Sequence, residues 1–248
     1  MKTVLLGATR GMGRALARLL AERGDALVLL GRDETELERS AKDLEIRAQG
    51  SGGAGIGTVH CDLLDRASFG PALDAAAERL GGLDAVIVTA GVFGTHEELV
   101  DDAELRDRVL VADFVNTVHF CEEARRRLLD SGGGKLCVFS SVAGERARRT
   151  IFLYGAAKAG LSYYLEGLDH RYRREGLATI CVKPGFVRTS MTAGLDPPPF
   201  TGEPEAVART VLRAIDRGRP VVYAPPIWRW VMLVIRWLPR AAMRRLRF

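Results

Sequence analysis

The sequence predicts an α/β fold: a doubly wound, mainly parallel sheet with helices on both faces. Three observations support this. Short apolar runs alternate with stretches of helical periodicity along nearly the whole chain, the pattern of repeated βα units. Several of the runs are apolar throughout, as expected of strands buried on both sides. A glycine-rich turn separates the first run from the first helical stretch.

The first strand is predicted at 4–6, in the apolar run Thr3-Val4-Leu5-Leu6. The turn Gly7-Ala8-Thr9-Arg10-Gly11-Met12-Gly13 follows, and the periodic segment Arg14-Ala15-Leu16-Ala17-Arg18-Leu19-Leu20 starts a helix at 14–23. A second strand, 26–30, ends at Gly31-Arg32-Asp33 and leads into a helix at 34–49. The stretch 49–57 is rich in glycine and is expected to be a mobile loop. Strand 56–60 is followed by Asp62 and a helix at 66–80, and strand 85–88 by Ala90-Gly91 and a long helix at 102–129. Strand 136–140 runs into Ser141, and the helix after it spans 153–175. Strand 179–183 is followed by Pro184-Gly185, a helix at 204–217 and a last strand at 221–223. Ligands of such sheets bind at the carboxyl ends of strands, near the reversal of strand order. Gly7, Asp62, Ala90-Gly91, Ser141 and Pro184-Gly185 all fall just after a strand. They should therefore converge on one edge, although they are far apart in the chain.

A chain of 248 residues is long enough for one large domain with a full core. Its 47% hydrophobic and 27% charged content is that of a soluble globular protein. The net charge of +5 is uneven: after Asp216 there is no acidic residue, and eight arginines lie there. This is expected to divide the chain into a main α/β domain at 1–224 and a basic, tryptophan-rich tail at 225–248. The four cysteines are scattered, with no CxxC and no Cys/His cluster. Neither a metal site nor a disulfide framework is indicated; Cys137 and Cys181 sit in apolar runs and are expected as core residues. His60, His96, His119 and His170 form no pattern. The chain enters its first strand directly, without the pattern of a signal peptide. The expected location is the cytoplasm, and no nucleic-acid partner is expected.

The chemistry is concentrated in Leu153-Tyr154-Gly155-Ala156-Ala157-Lys158, with Ser141 thirteen residues before the tyrosine. Residues at i and i+4 share a helix face. A lysine ammonium beside a phenol favours the phenolate, so the tyrosine pKa is expected to fall toward the working pH. Such a tyrosine can exchange a proton with an alcohol while a serine hydroxyl bonds the same oxygen. Alone, the spacing also fits an ordinary amphipathic helix. The turn 7–13 gives it a partner, because its glycines let the backbone approach a pyrophosphate at the free amides of a helix N-terminus.

Taken together, these motifs resemble the short-chain dehydrogenase/reductase family along nearly the whole chain. The matching elements are the turn 7–13, Asp62-Leu63, Ala90-Gly91, Asn116, Ser141, Tyr154, Lys158 and Pro184-Gly185-Phe186-Val187-Arg188-Thr189. The resemblance implies a Rossmann fold and nicotinamide-dependent hydride transfer between an alcohol and a ketone. It implies that Tyr154 is the acid/base, that Ser141 orients the substrate oxygen, and that Lys158 lowers the tyrosine pKa and holds the ribose. It further implies that Asn116 helps hold a proton-relay water and that Thr189 meets the nicotinamide carboxamide. Gly7, Thr9, Arg10, Gly11, Met12, Gly13, Asp62, Leu63, Ala90, Gly91, Pro184, Gly185, Val187 and Thr189 are the expected cofactor contacts, together with Tyr154 and Lys158. Leu6 stands where the family often has threonine, and Thr89-Ala90-Gly91 replaces Asn-Ala-Gly; both changes should remove bonds that brace loops. Without the resemblance, Asn116 is an ordinary polar helix residue and Asp62 a helix cap. Ser140 competes with Ser141, since adjacent strand residues face opposite ways; the family spacing favours Ser141.

An acid at the end of the second strand would accept ribose hydroxyls, whereas Arg32 there suits a 2′-phosphate, with Arg10 joining from the glycine turn. Asp33 would reverse the roles if the register moved by one residue. The expectation is NADP(H), with NAD(H) as the alternative.

All three tryptophans lie in the tail, at 228, 230 and 237. On one continuous helix, Arg229, Arg236, Arg240, Arg244 and Arg247 would fall in an arc of roughly 80° at about 100° per residue; Pro239 kinks or restarts that helix. The apolar run is shorter than the roughly 20 residues a bilayer span needs. A basic helix with tryptophans suits an anionic membrane surface, and it equally suits packing on its own domain or on a partner subunit. The loop Ser141-Val142-Ala143-Gly144-Glu145-Arg146-Ala147-Arg148-Arg149 and the tail resemble those of the decaprenylphosphoryl-2-keto-ribose reductase group. That resemblance implies a lipid-linked keto-sugar as substrate and a site at the inner face of the membrane. The same-class alternative is a soluble reductase of fatty or steroid-like ketones; a more distant one is a nucleotide-sensing protein that kept the fold. A homo-oligomer, dimer or tetramer, is expected by analogy.

Overall fold

The computed structural model describes residues 1–49 and 55–246. Seven parallel strands form one sheet: β1 (Lys2–Leu6), β2 (Ala26–Gly31), β3 (Ile56–His60), β4 (Ala85–Val88), β5 (Gly134–Phe139), β6 (Leu177–Pro184) and β7 (Val221–Ala224). Their order is β3-β2-β1-β4-β5-β6-β7, so the direction of winding reverses between β1 and β4. All the adjacent pairs are parallel.

Successive strand residues serve opposite layers, as the pleat requires. Leu5, Leu27, Leu29, Ile87 and Ile180 pack with α1 (Gly11–Glu22), α2 (Glu34–Ala48) and α8 (Pro204–Arg217). Val4, Leu6, Val28, Val86 and Val138 face α3 (Phe69–Leu80), α6 (Thr117–Asp130) and α7 (Phe152–Tyr172). The layers are anchored by side chains fully out of water, such as Leu16, Leu20, Phe69 and Phe120. Burying one such side chain is worth about 1.5–3 kcal/mol. The free cysteines are all buried, and burial pushes the Cys61 thiol up to about 11.

Two segments differ from the sequence expectation. The single helix expected at 102–129 is three pieces, α5 (Ala103–Leu110), a π-helical turn at Val111–Asn116 and α6, and a short helix that was not expected, α4 (His96–Asp101), precedes them. Asp102 separates α4 from α5 by capping α5 through the Leu105 amide, and a Thr95–Glu98 capping box starts α4. The tail is likewise split. α9 (Trp228–Trp237) ends at an extended Leu238, and α10 (Arg240–Arg245) restarts after Pro239. The five arginines therefore do not share one continuous arc; Arg247 lies outside the described residues, as does most of the glycine-rich loop, at 50–54.

Candidate active site

The glycine turn closes against the loop after β4. A Cβ on Gly7 would stand 2.5 Å from the Ala90 amide nitrogen, and one on Gly13 would collide with the Gly7 carbonyl oxygen. Gly7 (φ 96°) and Gly11 (φ 51°) also take the left-handed backbone that favours glycine. Thr89 keeps the brace that its substitution was expected to remove: its hydroxyl donates to the carbonyls of Gly7 at 2.9 Å and Leu6 at 3.2 Å. Helix α1 then begins at Gly11 with no side-chain cap and no acid in its first turn. Its free amides and positive dipole end are left for an anion. Gly13→Ala is expected to cost about 1–3 kcal/mol by overpacking and to weaken nucleotide binding; melting curves and cofactor titration read both.

A cleft of about 530 Å³ lies over this turn. Gly7, Thr9, Arg10, Arg32, Asp62, Leu63, Ala90 and Gly91 line it, as expected from the sequence. Val92, Phe93, Arg108, Ser190 and Met191 line it as well and were not anticipated. Asp33 does not compete with Arg32, because its carboxylate caps α2 by accepting from the Glu36 amide at 3.0 Å. Arg10 and Arg32 are exposed and have no carboxylate partner among the described residues. The Asp62 carboxylate accepts from the Leu64 amide at 2.9 Å, and it is Asp65 that caps the turn at Arg66–Ser68.

The other expected contacts have structural duties. Met12, in the first turn of α1, packs on the core, and Val187 is buried in the same layer. Gly11 meets the Thr189 methyl group: a Cβ there would lie 3.2 Å from it. Pro184 is buried at the end of β6. Gly185 makes room for the tail, since any Cβ would collide with the Trp228 indole.

Next to the cleft, α7 presents Tyr154 and Lys158 to Ser141. The Ser141 hydroxyl faces the Tyr154 phenol and accepts from the Ala143 amide at 3.1 Å. Ser140 points the other way, to the Lys158 carbonyl at 2.9 Å and the Ser162 hydroxyl at 2.7 Å. The ring of Phe93 meets that of Tyr154 edge-on at 5.3 Å. The Lys158 ammonium is buried, 5.6 Å from the centre of the tyrosine ring and 3.3 Å from the Phe139 carbonyl oxygen.

Two expectations are corrected here. Asn116 does not join this group. Its amide donates to the Leu63 carbonyl at 2.9 Å and its oxygen accepts from Arg66 at 2.6 Å, bracing the loop after β3. The residue that reaches Lys158 is Asp113, at 3.4 Å, from the π-helical turn. Nor does the phenol pKa fall. Burial raises it, the Lys158 charge pulls it down, Asp113 pushes it up again, and the Ser141 bond lowers it; the net direction is up. Asp113 escaped the sequence reading, although an acid inside the apolar stretch Val111-Ala112-Asp113-Phe114-Val115 was a visible signal.

A second pocket, of about 1000 Å³, opens beside the start of α7. Arg146, Arg148, Arg149, Arg240 and Arg244 line it, against a single acid, Glu97. Burial lowers the pKa of Arg148, whose Nε has no hydrogen-bond partner.

The family model described as short chain dehydrogenase matches residues 2–198. The chain belongs to the short-chain dehydrogenase family. Within it, an uncharacterized oxidoreductase of Mycobacterium tuberculosis is 32% identical over 243 residues, covering 98% of this chain and 96% of the relative. One from Streptomyces coelicolor is 35% identical over 250 residues, covering 98% and 94%. A short-chain type dehydrogenase/reductase structure from Mycobacterium ulcerans superposes with a TM-score of 0.81 at 21% identity, covering 89% of this chain and 86% of that one. A Sphingobium yanoikuyae short-chain dehydrogenase in complex with NADPH gives 0.80 at 25% identity, covering 96% and 97%. This short-chain dehydrogenase is accordingly an oxidoreductase with a Rossmann-like parallel sheet.

Proposed function

We propose that this enzyme reduces a ketone to a secondary alcohol with NADPH, Tyr154 serving as the proton donor. The observation that carries the proposal is the meeting of Ser141, Tyr154 and Lys158 at the carboxyl edge of the sheet, beside a cleft of nucleotide size. The cleft fits the cofactor: close-packed glycines, an uncapped helix start, and two unpaired arginines where a 2′-phosphate would lie. A nicotinamide bound there would supply the hydride to the carbonyl carbon. Tyr154 gives its proton to the carbonyl oxygen, while the Ser141 hydroxyl bonds that oxygen and fixes its direction. Lys158 then faces a newly formed phenolate, whose charge it stabilises.

The NADPH complex of the Sphingobium yanoikuyae protein agrees with this preference. The expected result for Arg32→Ala is a loss of about tenfold or more in selectivity for NADPH over NADH, since a charge-assisted bond is worth about 1.5–3 kcal/mol. Titrating both cofactors into both proteins checks it; equal affinities in the wild type would defeat it.

The substrate we propose is an anionic amphiphile, such as a lipid-linked keto-sugar, met at the cytoplasmic face of a membrane. The arginine pocket beside α7 supports it, because guanidinium groups suit phosphate and the buried Nε of Arg148 has no hydrogen-bond partner. So does α9, which docks Trp228 and Met232 inward and leaves Trp230, Val234 and Trp237 exposed. NADPH oxidation over a panel of ketones, with and without anionic vesicles, separates this substrate class from soluble hydrophobic ketones. Assembly as a homo-oligomer belongs to the same proposal and is read by sedimentation.

A further inference from the structure

Asp113 is wholly buried and sits on the π-helical turn between α5 and α6. A π turn adds one residue to the helical repeat and turns the side chain it carries; such turns are frequent at functional sites. Here the wider turn directs Asp113 into the catalytic group. Its Oδ1 accepts from the Val92 amide at 2.7 Å, in the loop after β4. Its Oδ2 has no hydrogen-bond partner and lies 3.4 Å from the Lys158 ammonium. Gly91 admits this arrangement: a Cβ there would stand 2.9 Å from Oδ1. The carboxylate thus joins three parts of the site: the nucleotide-side loop, the π turn and the helix of Tyr154.

We infer that Asp113 is a positioning residue that clamps Lys158 and offsets its charge, so that the neighbouring Tyr154 rests as a phenol, the form that donates a proton to a ketone. The inference rests on the assignment of Tyr154 as acid/base. A neutral amide at this position could tie the same loop but could not offset the ammonium.

The charges facing the group agree in sign. Burial alone would push the Lys158 ammonium down; Asp113 and Tyr154 oppose this, and the net direction is up. Burial pushes the Asp113 carboxyl up, while Lys158 and the Val92 amide pull it back. The Lys158 direction is the one the geometry supports, because each buried charge is favoured by the other. Cys181, on β6, also faces Lys158, and burial pushes its thiol up, so it adds no charge. Tyr154 faces a cation and an anion together: Lys158 pulls its phenol down, and Asp113 opposes that pull.

The sign of the test follows. Removing the anion leaves the cation unopposed and lowers the phenol pKa. Ionisation of Tyr154 is followed by ultraviolet difference titration of the free protein, as each background minus the same background carrying Tyr154→Phe. This needs no substrate. Asp113→Asn is expected to move the midpoint down by about one pH unit or more. If that variant does not fold, Asp113→Ser, which keeps an acceptor for the Val92 amide, takes its place. For any ketone the wild type reduces, the alkaline limb of kcat/KM should move down by the same amount. An unmoved midpoint in the folded variant overturns the inference, because a merely structural role would lower the melting temperature alone. Failure of the underlying assignment looks different: Tyr154→Phe would then stay active.

Discussion

Tyr154→Phe is expected to abolish turnover and leave cofactor binding nearly intact. The phenylalanine ring keeps the edge-on contact with Phe93, centred 5.3 Å away in the wild type, so the helix should not shift. What disappears is the phenol hydroxyl that faces Ser141, and with it the proton for the carbonyl oxygen. General acid catalysis of this kind is worth about 100- to 10,000-fold. The cleft that would take the cofactor is lined by other residues, from Gly7 to Met191, and loses none of them. Stopped-flow hydride transfer from NADPH to any ketone the wild type reduces gives the chemical step directly. A rate within about tenfold of wild type would remove Tyr154 from the mechanism. Lys158→Ala should be worse for stability as well as rate. It leaves the Asp113 carboxylate buried without its cation, and an uncompensated buried charge costs about 3–5 kcal/mol.

The sheet and the two halves of its catalytic edge were legible in the sequence because they depend on local patterns. Strands buried on both faces must be apolar throughout, and Val4, Leu5 and Leu6 are fully or nearly fully buried. The turn 7–13 needs glycine because backbone meets backbone there. Tyr154 and Lys158 are on one helix, where a spacing of four residues fixes a shared face. Asp113 was not legible in this way. Its direction depends on a π turn, which breaks the 3.6-residue count on which any spacing argument relies. Matching by residue type then favoured Asn116, three positions on, which serves the loop after β3 instead. The phenol pKa was misjudged first because burial, which raises it most, shows only in the fold, and then because the lysine was considered without its acid. Thr89 shows the opposite limit. A hydroxyl in place of an amide still reached the Gly7 carbonyl, a distance that only the folded loop defines. The α4 helix could have been found, because Thr95 and Glu98 spell a capping box.

Anionic vesicles should bind the protein strongly at low salt and weakly at high salt, through α9 and α10. The tail is not free-standing: Trp228 and Met232 are buried against Val142, with Tyr223 and Phe186 beside them. Glu145 fastens this face, accepting from Lys183 at 2.7 Å and from the Tyr223 hydroxyl at 2.5 Å, with Arg236 at 3.8 Å from its other oxygen. Arg146 holds the break between the two helices by donating to the Leu238 carbonyl at 2.7 Å. The opposite face carries Trp230 at 60%, Val234 at 65% and Trp237 at 81% exposure. An exposed apolar stripe of this kind, flanked by Arg229, Arg240 and Arg244, fits lipid below and phosphate above. No helix among the described residues is long and apolar enough to cross a membrane. Each arginine near an anionic surface adds about 1 kcal/mol, screened within about 10 Å at 0.1 M salt. Truncation after Ala224 would remove binding and the buried tryptophan together, and so confuse attachment with stability. The sharper variant changes Trp230, Val234 and Trp237 to serine and leaves the docked face alone. Co-sedimentation with anionic vesicles should fall by an order of magnitude or more while the melting temperature holds. Wild-type protein that ignores such vesicles at low salt would defeat the membrane attachment, and the lipid-linked substrate would lose its main support. A fall in melting temperature or oligomer size in the serine variant, with vesicle binding unchanged, would make the same stripe a subunit interface.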